Sequence, residues 1–270
     1  MNPLSSDLGV MRQTLLFGGL ESIVRNVNRK ARNLRFFEVG NVYHFDEERY
    51  TTESPIKAYQ QRYHLALWVT GHRVEGNWAH PDEESSFFEL KAHVENVLRR
   101  VGLQAGQVLT EASDNNIFDK GLRMKTRGAK VLVDMGIVNH HVLRRFDIEQ
   151  PVYYAEIDWT ELMKATRKNS LLFQELSKYP AVSRDLALLV DANVEFAQIE
   201  QIARQTEKKL LKQVVLFDVY QGKNLPEGKK SYAVNFILQD ESRTLTDKAI
   251  EAIMQKLMKN LTTKLHAELR

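Results

Sequence analysis

Leu216–Asp247 reads LFDVYQGKNLPEGKKSYAVNFILQDESRTLTD, which parses as a strand, a loop, a second strand and the start of a helix. Val214 to Tyr220 (VVLFDVY) is β-branched and aromatic. Ser231 to Gln239 alternates Tyr232, Val234, Phe236 and Leu238 with smaller or polar residues. This period of two predicts antiparallel strands with one face on a core. Between them, Gln221 to Lys230 holds two Gly, one Pro and three Lys, a turn that can continue neither strand. Beyond Gln239 a helix is predicted. Thr246 is its N-cap, Asp247 lies in its first turn, and Ile250, Ile253, Leu257 and Leu261 form its apolar stripe.

Upstream lies the other half of a symmetric unit. Asp185 to Val190 is a predicted strand, and Glu195 to Leu211 an amphipathic helix with Phe196, Ile199, Ile202, Ala203 and Leu210 on one side. With a short last strand at Ala267 to Arg270, the order is ferredoxin-like, βαββαβ. Such a sheet has one face under helices and the other open, and an open face with basic residues around it is a common RNA platform.

The remainder is mostly strands with helices between some of them. After turn-like residues at Asn2 to Asp7, helices are predicted at Thr14–Arg29, Phe87–Val101 and Val142–Phe146. Strands are predicted at Leu34–Phe45, Tyr63–Thr70, near Gln107–Leu109, Leu122–Lys125 and Lys130–Val138, and at Val152–Ile157. The pattern is that of an α+β domain, an antiparallel sheet with flanking helices. The chain divides into residues 1–165, a connector over 166–177, and the ferredoxin-like domain over 178–270.

Composition bounds the function without naming it. The 270 residues are 43% hydrophobic and 27% charged, those of a globular chain of two ordinary domains. No Cys is present, which excludes disulfides and thiolate metal sites and agrees with a reducing cytoplasm. No apolar run approaches the roughly 18 residues of a membrane span, and the N-terminus lacks a signal core. Of the net charge of +3, all the excess lies in residues 178–270, with 15 Lys and Arg against 12 Asp and Glu. A surplus so small does not by itself identify a nucleic-acid binder.

Four blocks in the C-terminal region carry a specific resemblance. Pro180 with Ser183-Arg184-Asp185-Leu186, then Leu216-Phe217-Asp218-Val219-Tyr220-x-Gly222, then Gly228-Lys229-Lys230-Ser231, then Arg243-Thr244-Leu245-Thr246-Asp247, resemble the ferredoxin-fold anticodon-binding domain that ends the β subunits of bacterial phenylalanyl-tRNA synthetases. Asn2-Pro3-Leu4-Ser5, Met11-Arg12, Arg35-Phe36-Phe37-Glu38-Val39-Gly40 and Phe146-Asp147-Ile148 resemble the catalytic-like module of the same family, which has a class II synthetase fold without the aminoacylation site. The family's β subunit is far longer, so the chain resembles its C-terminal third.

The residues agree with a module that lacks catalytic groups. An ATP-binding class II strand places Arg two positions before Glu, whereas Arg35 stands three before Glu38, on the opposite face. Val131 to Asn139 lacks a Gly-rich segment with a terminal Arg. Without an Arg clamp, adenylate formation loses its charge stabilisation. The loop from Gly222 to Ser231 is no phosphate-binding loop, because five residues separate its glycines, Lys230 intervenes before the Ser, and a strand follows. The adjacent His140 and His141 do not face one metal on a helix, and no metal site is predicted. Phe36, Phe37, Phe87 and Phe88 are predicted core or subunit-interface aromatics.

The RNA-binding candidates are therefore Arg184, Tyr220, Lys223, Lys229, Lys230, Ser231 and Arg243. If Phe217 and Val219 are core, Tyr220 lies on the open face, able to stack on an unpaired base. The three lysines are either phosphate contacts or a solvated loop. Arg184 and Arg243 either touch RNA or pair with Asp185, Asp218, Asp240 or Glu241. The resemblance implies a holoenzyme of two α and two β chains. Its α subunit would activate phenylalanine with ATP and Mg2+ and esterify it to phenylalanine tRNA, while this chain would supply no chemistry and bind no cofactor. The rival expectation is a free-standing protein-interaction scaffold whose ferredoxin-like domain binds no RNA.

Overall fold

The computed structural model describes residues 9–103, 105–169, 173 and 175–269. The turn predicted at Asn2 to Asp7 and the Arg270 end of the last strand lie outside them. Contacts divide the chain into two compact units, residues 1–172 and 173–270.

In the first unit, β1 (Leu34–Phe45), β2 (Tyr59–Thr70), β5 (Val108–Ala112), β6 (Phe118–Thr126), β7 (Val131–Val138) and β8 (Val152–Asp158) form one antiparallel sheet in the order β1-β2-β8-β7-β6-β5. A two-stranded ribbon, β3 (His72–Val74) and β4 (Glu83–Glu84), stands apart from it. Alternation along the strands supplies both faces with apolar groups. One face, with Val42, Ala66, Trp68 and Tyr154, packs under α1 (Leu16–Val27) and α3 (His140–Arg145). The other, with Val69, Val133, Met135, Ala155 and Ile157, packs under α2 (Phe87–Arg100) and α4 (Trp159–Thr166). The α+β architecture with an antiparallel sheet and flanking helices is as predicted.

Helix α4 was not predicted, and the connector was expected to begin inside it. Its start was written in the sequence: Asp158 accepts the Glu161 N–H at 2.9 Å, an N-cap, and Leu162 is fully buried. Of the four phenylalanines assigned to core or interface, Phe36 and Phe87 pack on the two cores. Phe37 and Phe88 are 75% and 78% exposed.

The second unit is the predicted βαββαβ. It comprises β9 (Val182–Asp191), α5 (Phe196–Thr206), β10 (Leu211–Tyr220), β11 (Lys229–Leu238), α6 (Asp247–Leu265) and β12 (Glu268–Leu269). The antiparallel sheet runs β10-β11-β9-β12. Tyr232, Val234, Phe236 and Leu238 are buried as the alternation required, against Ile199, Ile202 and Ala203 of α5 and Ile250, Ile253, Leu257 and Leu261 of α6. Thr246 caps α6, its hydroxyl accepting the Ala249 N–H at 3.4 Å. Helix α5 ends at Thr206, five residues before the predicted Leu211, which is instead the first residue of β10.

Candidate nucleic-acid interface

Because the helices cover the even-numbered side of β11, its odd-numbered residues line the sheet's open face. Register places Ser231 opposite Leu189 and Tyr220, Ala233 opposite Ala187 and Asp218, and Asn235 opposite Asp185. The middle of the face is thus built of small side chains, a platform close to the backbone. Around it stand carboxylates. Asp185, Asp191 and Asp218 come from the strands, and Glu268 pairs opposite Leu189 at the edge. The lysine of this face, Lys229, is spent on one of them, its Nζ donating to Glu268 at 2.5 Å. That hydrogen bond raises the Lys229 pKa.

Tyr220 ends β10 on this face. Its aromatic tip lies over Gly222, where an added Cβ would fall 2.6 Å from the Tyr220 hydroxyl oxygen and 2.8 Å from Cζ. A side chain at 222 would lift the ring, which explains a glycine two residues after the tyrosine. Phe217 and Val219, the predicted core residues from which that face was assigned to Tyr220, are not core. The pairing slips between Leu216 and Asp218, leaving Phe217 in a bulge and 57% exposed. Val219, opposite Tyr232, is on the helix side but half-exposed, because β10 is an edge strand. Tyr220 is 37% exposed.

The other candidates scatter. Lys230, opposite Val190, points to the helix side, is 8% exposed, and holds its ammonium 4.8 Å from the Tyr232 ring centroid. It is a structural lysine, not a solvated loop cation. Ser231 is 7% exposed within the open face. Lys223 is on the exposed loop after β10. Arg184, opposite Phe236, is on the helix side of β9 and donates to the Ser183 carbonyl at 2.9 Å. Arg243 pairs with Asp240 at 3.2 Å. Hydrogen bonds from the Ser242 side chain and backbone, with Arg243 adding to them, hold the Asp240 carboxyl below its ordinary pKa. The structure therefore gathers Tyr220, Ser231 and Lys229 on one face and leaves Arg184, Lys230 and Arg243 off it. The carboxylate ring of that face was missed, although strand parity from Tyr232 to Asp218 and Asp185 contained the signal.

The first unit concentrates its buried polar chemistry on Glu156 of β8. Its carboxylate accepts from the Thr14 and Tyr154 hydroxyls, each at 2.6 Å, from His64 Nδ1 at 2.8 Å and from the Leu15 N–H at 3.2 Å. Burial alone pushes its pKa up, but the hydrogen bonds from His64, Thr14 and Tyr154 outweigh burial and leave it lowered. The same burial, with Glu156 beside it, drives the Tyr154 phenol well above its ordinary value. This is the anchor of α1: a partly buried anion at the start of a helix that lacks a side-chain cap of its own.

Three arginines of this unit are held by carboxylates. Arg35 is held by Glu89 at 3.0 Å and by the His72 carbonyl, Arg62 by Asp158 at 3.2 Å, and Arg12 by Glu38 at 2.6 Å. Beside Arg62 is a shallow cleft rimmed by the carboxylates Asp46, Glu47 and Glu48. Among the described residues, no three His, Asp or Glu side chains are grouped to hold a metal ion, and no helix is long and apolar enough to cross a membrane.

Residues 1–159 match the family model of the phenylalanyl tRNA synthetase beta chain CLM domain, and residues 177–270 that of the ferredoxin-fold anticodon binding domain. The chain is 56% identical over 270 residues to the phenylalanine–tRNA ligase beta subunit of Bacteroides thetaiotaomicron and 50% identical to that of Porphyromonas gingivalis. It is 33% identical over 273 residues to that of Clostridium acetobutylicum. Each alignment covers all of this chain and about a third of the relative, 33%, 33% and 32% respectively.

Proposed function

The chain belongs to the phenylalanyl-tRNA synthetase β-chain family, and from that premise we propose that it works as the non-catalytic C-terminal third of such a β subunit. In this reading the first unit is a scaffold that packs on an α subunit in an α2β2 assembly in the cytoplasm. The α subunit carries the reaction of phenylalanine, ATP and Mg2+ with phenylalanine tRNA. Residues 178–270 bind the anticodon region of that tRNA, with residues 166–177 as the connector.

One observation supports the anticodon role above the rest: the Tyr220 ring held over Gly222 at the rim of an open face built of small residues. A ring so placed can stack on an unpaired base, a contact worth about 1–3 kcal/mol. The carboxylates around it repel phosphate but accept hydrogen bonds from base edges, so the face suits bases rather than backbone. Binding energy gathered there would raise specificity far from the reacting ester.

The test is binding of the full chain to phenylalanine tRNA and to an anticodon-swapped version, repeated for Tyr220→Ala and Tyr220→Phe. Weaker binding of the swapped RNA is expected, with Tyr220→Ala costing about 1–3 kcal/mol on the matched RNA alone and Tyr220→Phe nearly nothing. Equal binding of both RNAs by the unaltered chain would overturn the anticodon reading and favour the scaffold that binds no specific RNA.

A further inference from the structure

Five exposed lysines of the second unit are on or beside its helices, away from the face that Tyr220 rims. Thr206, the last residue of α5, accepts from Asn260 of α6 at 2.8 Å, which fixes where the chain leaves α5. Lys208 and Lys209 follow directly, both exposed. On α6, Lys256 and Lys264 stand one helical turn to either side of Asn260, on the line that faces α5, and Lys259 is adjacent. The Lys264 ammonium reaches Gln205 of α5 at 3.5 Å, which with the Asn260–Thr206 bond sets this stretch of α6 beside the end of α5. None of the five has a carboxylate partner among the described residues, in contrast to Arg204, bound by Glu200 at 2.8 Å, and Lys212, bound by Glu241 at 2.6 Å. Glu207, the acid inside the cluster, is turned to the backbone, where it accepts the N–H groups of Lys209 and Leu210, both at 3.0 Å.

We propose that Lys208, Lys209, Lys256, Lys259 and Lys264 form a second RNA-contact surface, one that grips the phosphate backbone of a folded RNA independently of its sequence. Charge complementarity selects the partner. Unpaired like charges held together destabilise the fold through self-repulsion unless a polyanion neutralises them. Within this unit the open face cannot take that role, because it opposes Asp185, Asp191, Asp218 and Glu268 to a single paired Lys229. Phosphates are bound by lysines as point charges with release of counterions, without base readout. The division of labour is then between a face that reads bases and a helix layer that holds backbone. The proposal rests on this unit binding RNA, but not on which bases Tyr220 meets.

The experiment is a salt series on the full chain, comparing the unaltered protein with the combined Lys208→Gln, Lys209→Gln, Lys256→Gln and Lys264→Gln variant. The RNAs are phenylalanine tRNA and its anticodon-swapped version. The slope of log affinity against log salt is expected to fall by about 2–3 in the variant, about equally for both RNAs. Its melting temperature should stay the same or rise, because self-repulsion is removed. An unchanged slope overturns the proposal. So does a variant that binds both RNAs normally but has lost binding to phosphatidylserine vesicles, which would assign the lysines to an anionic lipid surface. Loss of anticodon discrimination in Tyr220→Ala, with the lysine effect intact or absent, reports on the other face and leaves the two readings separable.

Discussion

Glu156 shows how one residue can organise a module. Four donors converge on its carboxylate from Thr14, Leu15, His64 and Tyr154, three of them more than ninety residues away in sequence. Glu156→Gln keeps the volume but removes the charge and one acceptor, and urea unfolding at neutral pH is expected to show a loss of about 2–3 kcal/mol. Because the folded-state pKa of Glu156 is depressed, its contribution is present above the unfolded value of roughly 4.3 and is lost as pH falls through the folded one. His44 acts in the same direction, its pKa lowered by burial first and then by Arg62 and His64. Its contribution is present above roughly pH 6.5 and lost below. The first unit should therefore weaken on acidification in two stages, with the lower stage missing in Glu156→Gln. A stability profile flat from pH 7 to pH 4 would contradict this account. None of these contacts was legible beforehand, since nothing local joins Thr14 to Glu156.

Elements were legible to the degree that their apolar spacing and caps agreed. Helix α6 was foreseen from Thr246 to its stripe, because cap, first-turn acid and periodicity coincide. Helix α5 was overrun to Leu211 because Lys208, Lys209 and Leu210 continue the amphipathic pattern. The structure ends it at Thr206, whose hydroxyl turns back to the Ile202 carbonyl while Leu211 is drawn into the sheet beside Leu238. The packing of α1 on the sheet was equally hidden. Gly19 is so close to β2 that a Cβ there would lie 2.1 Å from Trp68 Cε2. Gly19→Ala gains helix propensity of about 1 kcal/mol, but the buried indole has nowhere to move. A net destabilisation of about 1–3 kcal/mol is expected in thermal or urea unfolding, and a stabilised variant would refute so close a contact.

On the scale of the whole chain, three cores are closed, one on each face of the six-stranded sheet and one under the helices of the four-stranded sheet. A fragment of residues 175–270 is accordingly expected to melt in a single cooperative transition, and non-cooperative melting would argue that it needs the rest of the chain. Family, fold class and the order of elements in the second unit were determined by the sequence alone, because strand parity, helix stripes, caps and the motif blocks around Tyr220 and Arg243 are local signals. The tertiary structure alone decided which side chains share a surface. It buried Lys230 over Tyr232, tied Lys229 to Glu268 and Arg243 to Asp240, and ringed the open face with carboxylates, while five lysines of the helix layer have no such partner among the described residues. The physical reason is that charge type is written in the chain, whereas the partner that neutralises a charge is set by strand register and helix packing between residues distant in sequence.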